Sequence, residues 1–231
     1  MQIKIEKLWK RFGIRTISLE IPNGQLLSIV GVNGSGKTSF LRCLAGLYHA
    51  ESGAIYYDNE KFQRQRIDLR KRIQFIPDRP AAIGTHSVAQ HANLVLSAYG
   101  MIGDEHTRSF VQNLKELNLA NKVHVPIELL SRGQVYKVAL ALLFTLDPDL
   151  WLLDEPFASG MDAIGIDIFR HHVREATSRG KTIIYSTQIL EFAETLSDLV
   201  CVLNRGTVAK VGSIEEIKQG DQDLLGLLRA S

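Results

Sequence analysis

The chain has 231 residues, 45% of them hydrophobic and 23% charged, with 27 basic and 25 acidic side chains and a net charge of +2. That composition supports a sizeable core and gives no electrostatic footprint for bulk nucleic-acid binding, so no nucleic-acid partner is expected. No apolar run approaches the ~20 residues needed to span a bilayer. Cys43 and Cys201 lie far apart with no CxxC, which excludes a disulfide scaffold and a zinc site and points to a reducing cytoplasm.

The N-terminal MQIKIEKLWKRF alternates like a strand and has no signal-peptide core. Gln2–Leu8 and Thr16–Ile21 predict two strands, with Pro22-Asn23-Gly24 as turn chemistry before a third, Gln25–Val30, apolar enough to be buried on both faces. A Gly-rich turn leads into a helix over 36–47, followed by strands at Gly53–Tyr57 and Ile73–Ile76. The basic stretch Lys61, Arg64, Arg66, Arg70, Lys71 and Arg72 reads as a solvated helix face. Ser87–Tyr99, His106–Leu117 and Leu130–Leu146 have helical spacing, the last ended by Asp147-Pro148. Leu150–Leu153 is a fully apolar strand, Asp162–Ser178 a helix, Thr182–Ser186 a strand and Ile189–Leu196 a short helix. Leu199–Leu203 and Thr207–Val211 flank a hairpin turn at Asn204-Arg205-Gly206, and a short polar helix starts at Ile214. Strands alternating with helices at both ends argue an α/β protein with a mostly parallel sheet core. The helical stretch of about 83–140 reads as an insertion in that core, within one domain over 1–231.

Two motifs carry chemistry. Gly31-Val32-Asn33-Gly34-Ser35-Gly36-Lys37-Thr38 fits G-x-x-x-x-G-K-[ST] between an apolar strand and a helix. Its glycines let successive N–H groups point at phosphate oxygens, the helix N-terminus adds a positive dipole end, Lys37 reaches the terminal phosphates and Thr38 offers a hydroxyl to Mg²⁺. Ser39 completes the candidate nucleotide-binding set. Leu150–Leu153 runs into Asp154-Glu155, which at the carboxyl end of a parallel strand faces the ligand crevice. There Asp154 is a candidate metal ligand and Glu155 a candidate general base.

With these in place, Leu130-Ser131-Arg132-Gly133-Gln134 resembles the LSGGQ signature, and the chain resembles the ATP-binding subunits of ABC transporters from Met1 to about Ser213. The resemblance implies a P-loop NTPase of ABC type with an antiparallel β edge and an inserted α-helical subdomain. It implies ATP and Mg²⁺ as cofactors, a homodimer or heterodimer of such domains, and separate transmembrane permease subunits on whose cytoplasmic face the chain is peripheral. Ser131, Arg132, Gly133 and Gln134 would face the other subunit's ATP, as would Asp162 in Ala158-Ser159-Gly160-Met161-Asp162. Ser131 and Asp162 are also good helix N-caps. Phe12 stands where the family stacks an aromatic on adenine, four residues closer to the next strand than usual, with strand packing as its alternative.

Two positions depart from the family. Asp78 replaces the usual Gln after Ile76 and remains a candidate metal ligand. Gln188 replaces the switch His, and an amide donates a hydrogen bond without carrying a proton. Slow hydrolysis with intact ATP binding is the expectation, and the features around the signature favour an exporter of the ABC-2 type. Two other readings stay open: a soluble ATPase of a cytosolic assembly system, and an ATP-gated module with little hydrolysis. His171-His172 is expected on a solvent-facing helix surface, Cys43 in the core, and Asn121-Lys122-Val123-His124 lacks the Asp of a guanine-reading motif.

Overall fold

A computed structural model describes residues 1–218 and residue 226. Its strands are β1 (Ile3–Lys10), β2 (Ile14–Ile21), β3 (Leu26–Val30), β4 (Ser52–Tyr57), β5 (Glu60–Lys61), β6 (Ile73–Ile76), β7 (Leu150–Leu153), β8 (Thr182–Thr187), β9 (Leu199–Asn204) and β10 (Thr207–Gly212). Its helices are α1 (Lys37–Leu44), α2 (Ile67–Lys71), α3 (Val88–Ala98), α4 (Asp104–Glu116), α5 (Arg132–Leu146), α6 (Ala163–Ser178), α7 (Leu190–Leu196) and α8 (Ile214–Lys218).

The strands form two sheets. One has the order β10-β9-β3-β8-β7-β6 and is parallel except for the β9–β10 hairpin at its edge. The other, β2-β1-β4-β5, is antiparallel throughout. The antiparallel edge expected from sequence is therefore both a hairpin and a separate small sheet.

Period-two alternation explains why the central strands read as unbroken apolar runs. Trp151 and Leu153 of β7, with Ile183 and Tyr185 of β8, join the apolar cluster under α3, α4, α5 and α6. Leu150, Leu152 and Ile184 face the opposite way, toward α1 and the antiparallel sheet. Helices α3 and α5 each open with a capping box, Ser87 with Gln90 and Ser131 with Gln134. α3, α4 and α5 all fall between β6 and β7, as the sequence pattern implied.

α1 ends at Leu44 rather than near 47, because Gly46 turns left-handed (φ 70°) and the Gly46 and Leu47 N–H groups close back on the Cys43 and Arg42 carbonyls. The basic stretch is not one helix face. It spans β5, a loop and the five-residue α2, and two of its six charges are in ion pairs: Arg66 with Glu60 and Asp68, Arg72 with Asp58 and Asp149. His172 does not simply face solvent; its ring stacks on Phe144 with centroids 3.8 Å apart and it meets Glu116 at 3.1 Å. Both cysteines are buried and free, and burial pushes the Cys43 thiol up to about 11 and Cys201 up to about 12, so neither is a reactive thiolate at neutral pH. The C-terminal polar helix is seen as α8, with Ile217 buried; its continuation past 218 lies outside the described residues.

The β9–β10 turn uses Arg205 (φ 44°) and Gly206 (φ 84°), the left-handed pair that a tight hairpin requires. The Gly206 N–H donates to the Ser35 carbonyl at 2.9 Å, and the Gly206 carbonyl accepts from the Arg15 N–H at 2.6 Å. A Cβ at Gly206 would sit 2.9 Å from the Gly13 carbonyl oxygen and 3.0 Å from the Arg15 nitrogen. Gly206→Ala therefore meets backbone on one side and a left-handed φ on the other, and should lose about 1–3 kcal/mol in chemical denaturation. An unchanged midpoint would show that the junction yields without strain.

Candidate functional site

β3, β8, β7 and β6 are parallel and in close register, pairing Val30 with Thr187, Tyr185 with Leu153, and Leu153 with Ile76. Their carboxyl ends therefore deliver the phosphate loop, Gln188, Asp154-Glu155 and Asp78 to one edge. A cleft of about 700 Å³ opens there, lined by Lys37, Thr38, Asp154 and Glu155 among others.

The phosphate loop is an anion cradle by construction. Gly36 is the N-cap of α1 in a left-handed conformation (φ 104°), with no side-chain oxygen capping the helix. α3, α5 and α6 all carry such caps. The first-turn N–H groups of α1 are thus left for an outside acceptor, at the positive end of the helix dipole. A Cβ on Gly36 would lie 1.9 Å from the Gly13 carbonyl oxygen, whereas one on Gly34 would meet nothing within 4 Å. So Gly36 is required by packing and Gly34 borders open space. Val32 and Asn33 are exposed beside it, and the Ser35 hydroxyl is buried without a hydrogen-bond partner among the described residues. Ser39 is half-buried, its Oγ 2.6 Å from where a Cβ on Gly13 would be.

Lys37 is only 6% exposed. Its Nζ donates to the Gly31 carbonyl at 2.8 Å and lies 3.4 Å from Oε1 of Glu155. Gln188 Nε2 donates to the same Glu155 oxygen at 3.2 Å. Thr38 Oγ1 donates to Asp154 Oδ2 at 2.8 Å. The Thr38 hydroxyl and the Asp154 carboxylate are hard oxygen donors held together, a set that suits Mg²⁺ shared with phosphate oxygens.

Ser186 organises this acidic pair, and sequence reading missed it. Its Oγ donates to Asp154 Oδ1 at 2.6 Å and accepts from the Glu155 N–H at 2.9 Å. Glu155 adopts a left-handed backbone (φ 49°), unusual for a residue with a side chain, and Pro156 starts a short 3₁₀ turn after it. The only sequence signal for Ser186 is its place near the end of an otherwise apolar strand.

Asp78 does not join Thr38 and Asp154. Its carboxylate is paired with the Arg132 guanidinium from the first turn of α5. Ser131 accepts from the Gln134 N–H, and the Gln134 side chain returns to the Ser131 N–H at 3.0 Å, so both are engaged in capping. Gly133 packs tightly: a Cβ there would lie 2.3 Å from the Gly160 carbonyl oxygen. Asp162 caps α6 through the Gly165 N–H at 2.8 Å and forms an ion pair with buried Lys137 at 2.7 Å. The carboxyl of Asp162 is held below the usual carboxylate range, chiefly by its bond to Lys137 and next by the Gly165 N–H. Phe12 is 76% exposed at the cleft mouth, with the Arg11 guanidinium 5.6 Å from its ring centroid. Strand packing is excluded for it.

Tyr136 is a second residue that sequence reading missed, because it looks like an ordinary core aromatic of α5. It is wholly buried, and its hydroxyl has no hydrogen-bond partner among the described residues. Its ionisation is pushed well above the usual phenol range, first by burial and then by the charges of Asp154, Asp78 and Glu155.

A family model described as ABC transporter matches residues 14–158. The chain is 32% identical over 220 residues to an uncharacterized ABC transporter ATP-binding protein of Methanocaldococcus jannaschii, covering 94% of this chain and 79% of that one. It is 31% identical over 210 residues to the lantibiotic transport ATP-binding protein SrtF of Streptococcus pyogenes, covering 89% and 88%. A solved ATP-binding subunit of an ABC transporter superposes with a TM-score of 0.88 at 25% identity, covering 100% of this chain and 96% of that one.

Tyr136→Phe removes a hydroxyl that is buried and unpaired, so the nucleotide-free protein should keep its thermal midpoint or gain slightly. A loss above about 1 kcal/mol would reveal a partner that this geometry lacks. Because its folded pKa is depressed, Asp162 adds stability above the ordinary carboxylate range and loses it as pH falls through the lowered value. Asp162→Asn should therefore destabilise at neutral pH by about 1–3 kcal/mol, leaving Lys137 short of a counter-charge, and flatten the acid limb of a stability-versus-pH curve.

Proposed function

The chain belongs to the ABC transporter family as an ATP-binding subunit, and from that premise we propose that its cleft binds MgATP between two such subunits, hydrolyses it with Glu155, and drives separate transmembrane partners. The observation that carries this reading is the uncapped N-terminus of α1 facing Lys37, the Thr38–Asp154 pair and Glu155 in one cleft.

Nucleotide entering the cleft must displace the contacts that hold these groups. Lys37 is held by loop carbonyls and Glu155, and phosphate oxygens offer it a stronger, charge-assisted partner. Its transfer to the phosphates frees Glu155 to accept a proton from attacking water. Thr38 and Asp154 would hold Mg²⁺, whose chemistry is to neutralise charge on the phosphates. The backbone N–H groups of residues 33–39 bind the phosphate oxygens, and Phe12 offers an exposed ring for the base. Gln188 already bonds Glu155, so it orients that carboxylate and contacts the terminal phosphate without supplying a proton. Turnover is slow for that reason. The starts of α5 and α6, with Ser131, Gly133 and Asp162, face the nucleotide of the opposite subunit, whether that is a second copy or a related chain.

A second, largely apolar groove of about 510 Å³ runs between β6, α3 and α5, lined by Phe75, Pro80, Val95, Val138 and Leu142. Arg42 and Pro77 border both this groove and the nucleotide cleft. We assign it to the cytoplasmic part of the transmembrane partner, since an occupant there sits one residue from Asp78. No helix among the described residues is long and apolar enough to cross a membrane, and the chain is read as peripheral on the cytoplasmic face. The SkfA peptide export ATP-binding protein SkfE of Bacillus subtilis, to which the chain is 29% identical over 219 residues, supports export as the direction.

Lys37→Ala should abolish ATP binding in equilibrium titration, and Glu155→Gln should bind ATP while losing at least about 100-fold in kcat. Gln188→His should raise kcat; an unchanged turnover would remove Gln188 as the cause of slowness. Pull-down of tagged Glu155→Gln with MgATP from solubilised host membranes should recover a multi-spanning protein. Recovery of soluble partners alone would overturn the transporter assignment.

A further inference from the structure

Ser186 lies next to the last residue of β8 and is fully buried. Parallel pairing sets Tyr185 beside Leu153, so the next pair along the two strands is Ser186 with Asp154, just beyond the end of β7. The Ser186 hydroxyl is used at both ends. Its O–H donates to Asp154 Oδ1 at 2.6 Å, a short charge-assisted bond, and its oxygen accepts the Glu155 N–H at 2.9 Å. Thr38 Oγ1 holds the other Asp154 oxygen at 2.8 Å, and the Asp154 N–H donates to the Ile76 carbonyl at 2.9 Å. Asp154 is thus fixed independently of Glu155, and it fixes in turn the direction in which Ser186 presents its lone pairs. The following residues extend the arrangement. Thr187 Oγ1 accepts the Ile189 N–H at 3.0 Å, and between them Gln188 donates to Glu155 Oε1 at 3.2 Å. The end of β8 therefore grips Glu155 twice, at its backbone through Ser186 and at its carboxylate through Gln188.

We propose that Ser186 is a positioning residue for hydrolysis, holding Glu155 in the backbone conformation from which its carboxylate meets the attacking water. Glu155 has φ 49° and ψ 51°, a left-handed conformation that is costly for a residue with a side chain and persists only where its surroundings impose it. Two bonds fix the peptide groups on either side: the Glu155 N–H donates to Ser186, and the Glu155 carbonyl accepts from the Ala158 N–H at 3.1 Å. Only the first of these ties the turn to the sheet. Relaxation to ordinary backbone would swing the carboxylate away from Lys37 and Gln188, which now lie 3.4 Å and 3.2 Å from its Oε1. A small hydroxyl suits the place, since alanine offers neither donor nor acceptor and a fully buried strand position leaves no space for a longer polar side chain. Ser186 acts through Glu155, so it bears on turnover and leaves Lys37 and the start of α1 as they are. This inference rests on the reading of Glu155 as general base.

The test is MgATP titration and steady-state turnover of the full chain carrying Ser186→Ala, alone and combined with Glu155→Gln. Ser186→Ala should bind MgATP within about threefold of the wild type and lose about 10-fold to 100-fold in kcat with little change in KM. In the Glu155→Gln background the same substitution should change kcat by less than about twofold, since a residue that acts through Glu155 has no base left to position there. A merely structural role would lower kcat to the same extent in both backgrounds, and that result overturns the proposal. Loss of MgATP binding in Ser186→Ala overturns it too, because the effect is then not confined to the chemical step. If the wild type binds and hydrolyses MgATP and Ser186→Ala keeps its kcat, the role of Ser186 is wrong and the general-base reading stands. If wild-type turnover does not exceed that of Glu155→Gln, the general-base reading falls and the role of Ser186 falls with it.

Discussion

Parallel pairing of β3, β8, β7 and β6 is the constraint on which the rest depends. Parallel strands in close register end together, so groups from residues 31–39, 78, 154–155 and 188 arrive at one edge without any sequence proximity. Burial on both faces makes that register hard to slip, because a shift of one residue would exchange the Trp151–Leu153 face with the Leu150–Leu152 face. The rigid sheet then needs only short turns beyond each strand to present its chemistry, and the unusual backbone at Gly36 and Glu155 is confined to those turns.

The site is an assembly of groups that hold one another in place until something better arrives. Lys37 rests on carbonyls and on Glu155, Gln188 rests on Glu155, Thr38 on Asp154, and Arg132 on Asp78. The Lys37, Gln188 and Arg132 contacts each pair a donor that favours phosphate with a carboxylate that does not, whereas Thr38 and Asp154 are two oxygen donors that suit the same cation. Only Ser186 is placed differently, since it fixes Asp154 and the backbone of Glu155 together from behind. That separates a support behind the acidic pair from the paired charges in front of it, and the pairing leaves no buried cation of this set without a partner.

Local patterns made most elements and the Gly-rich loop at the cleft legible in the sequence. β6 and β7 fall where apolar runs end at Pro77 and Asp154, and both capping boxes sit where Ser precedes Gln by three residues. What escaped was non-local. Nothing in the strand pattern tells that Ser186 reaches Asp154, or that Arg132 reaches Asp78. His172 looked solvent-facing by helix phase, but Phe144 from α5 covers it. The basic run before β6 reads as a solvated helix face, although Arg72 finds Asp58 in a turn and Asp149 in the loop between α5 and β7. The left-handed turn at Gly46 cut α1 short for a reason visible only in backbone geometry.

The junction of Gly13, Ser35 and Gly206 has a consequence for how the protein is made. The phosphate loop comes early in the chain, whereas the turn that bonds the Ser35 carbonyl comes after ten strands have all but been laid down. Synthesis proceeds from the amino end, and domains generally fold as units rather than residue by residue. A growing chain therefore carries the complete phosphate-loop sequence for most of its synthesis without the contact that finishes its shape. The contact that finishes the shape of this loop is therefore a late event in the making of each molecule, and it follows the laying down of β9.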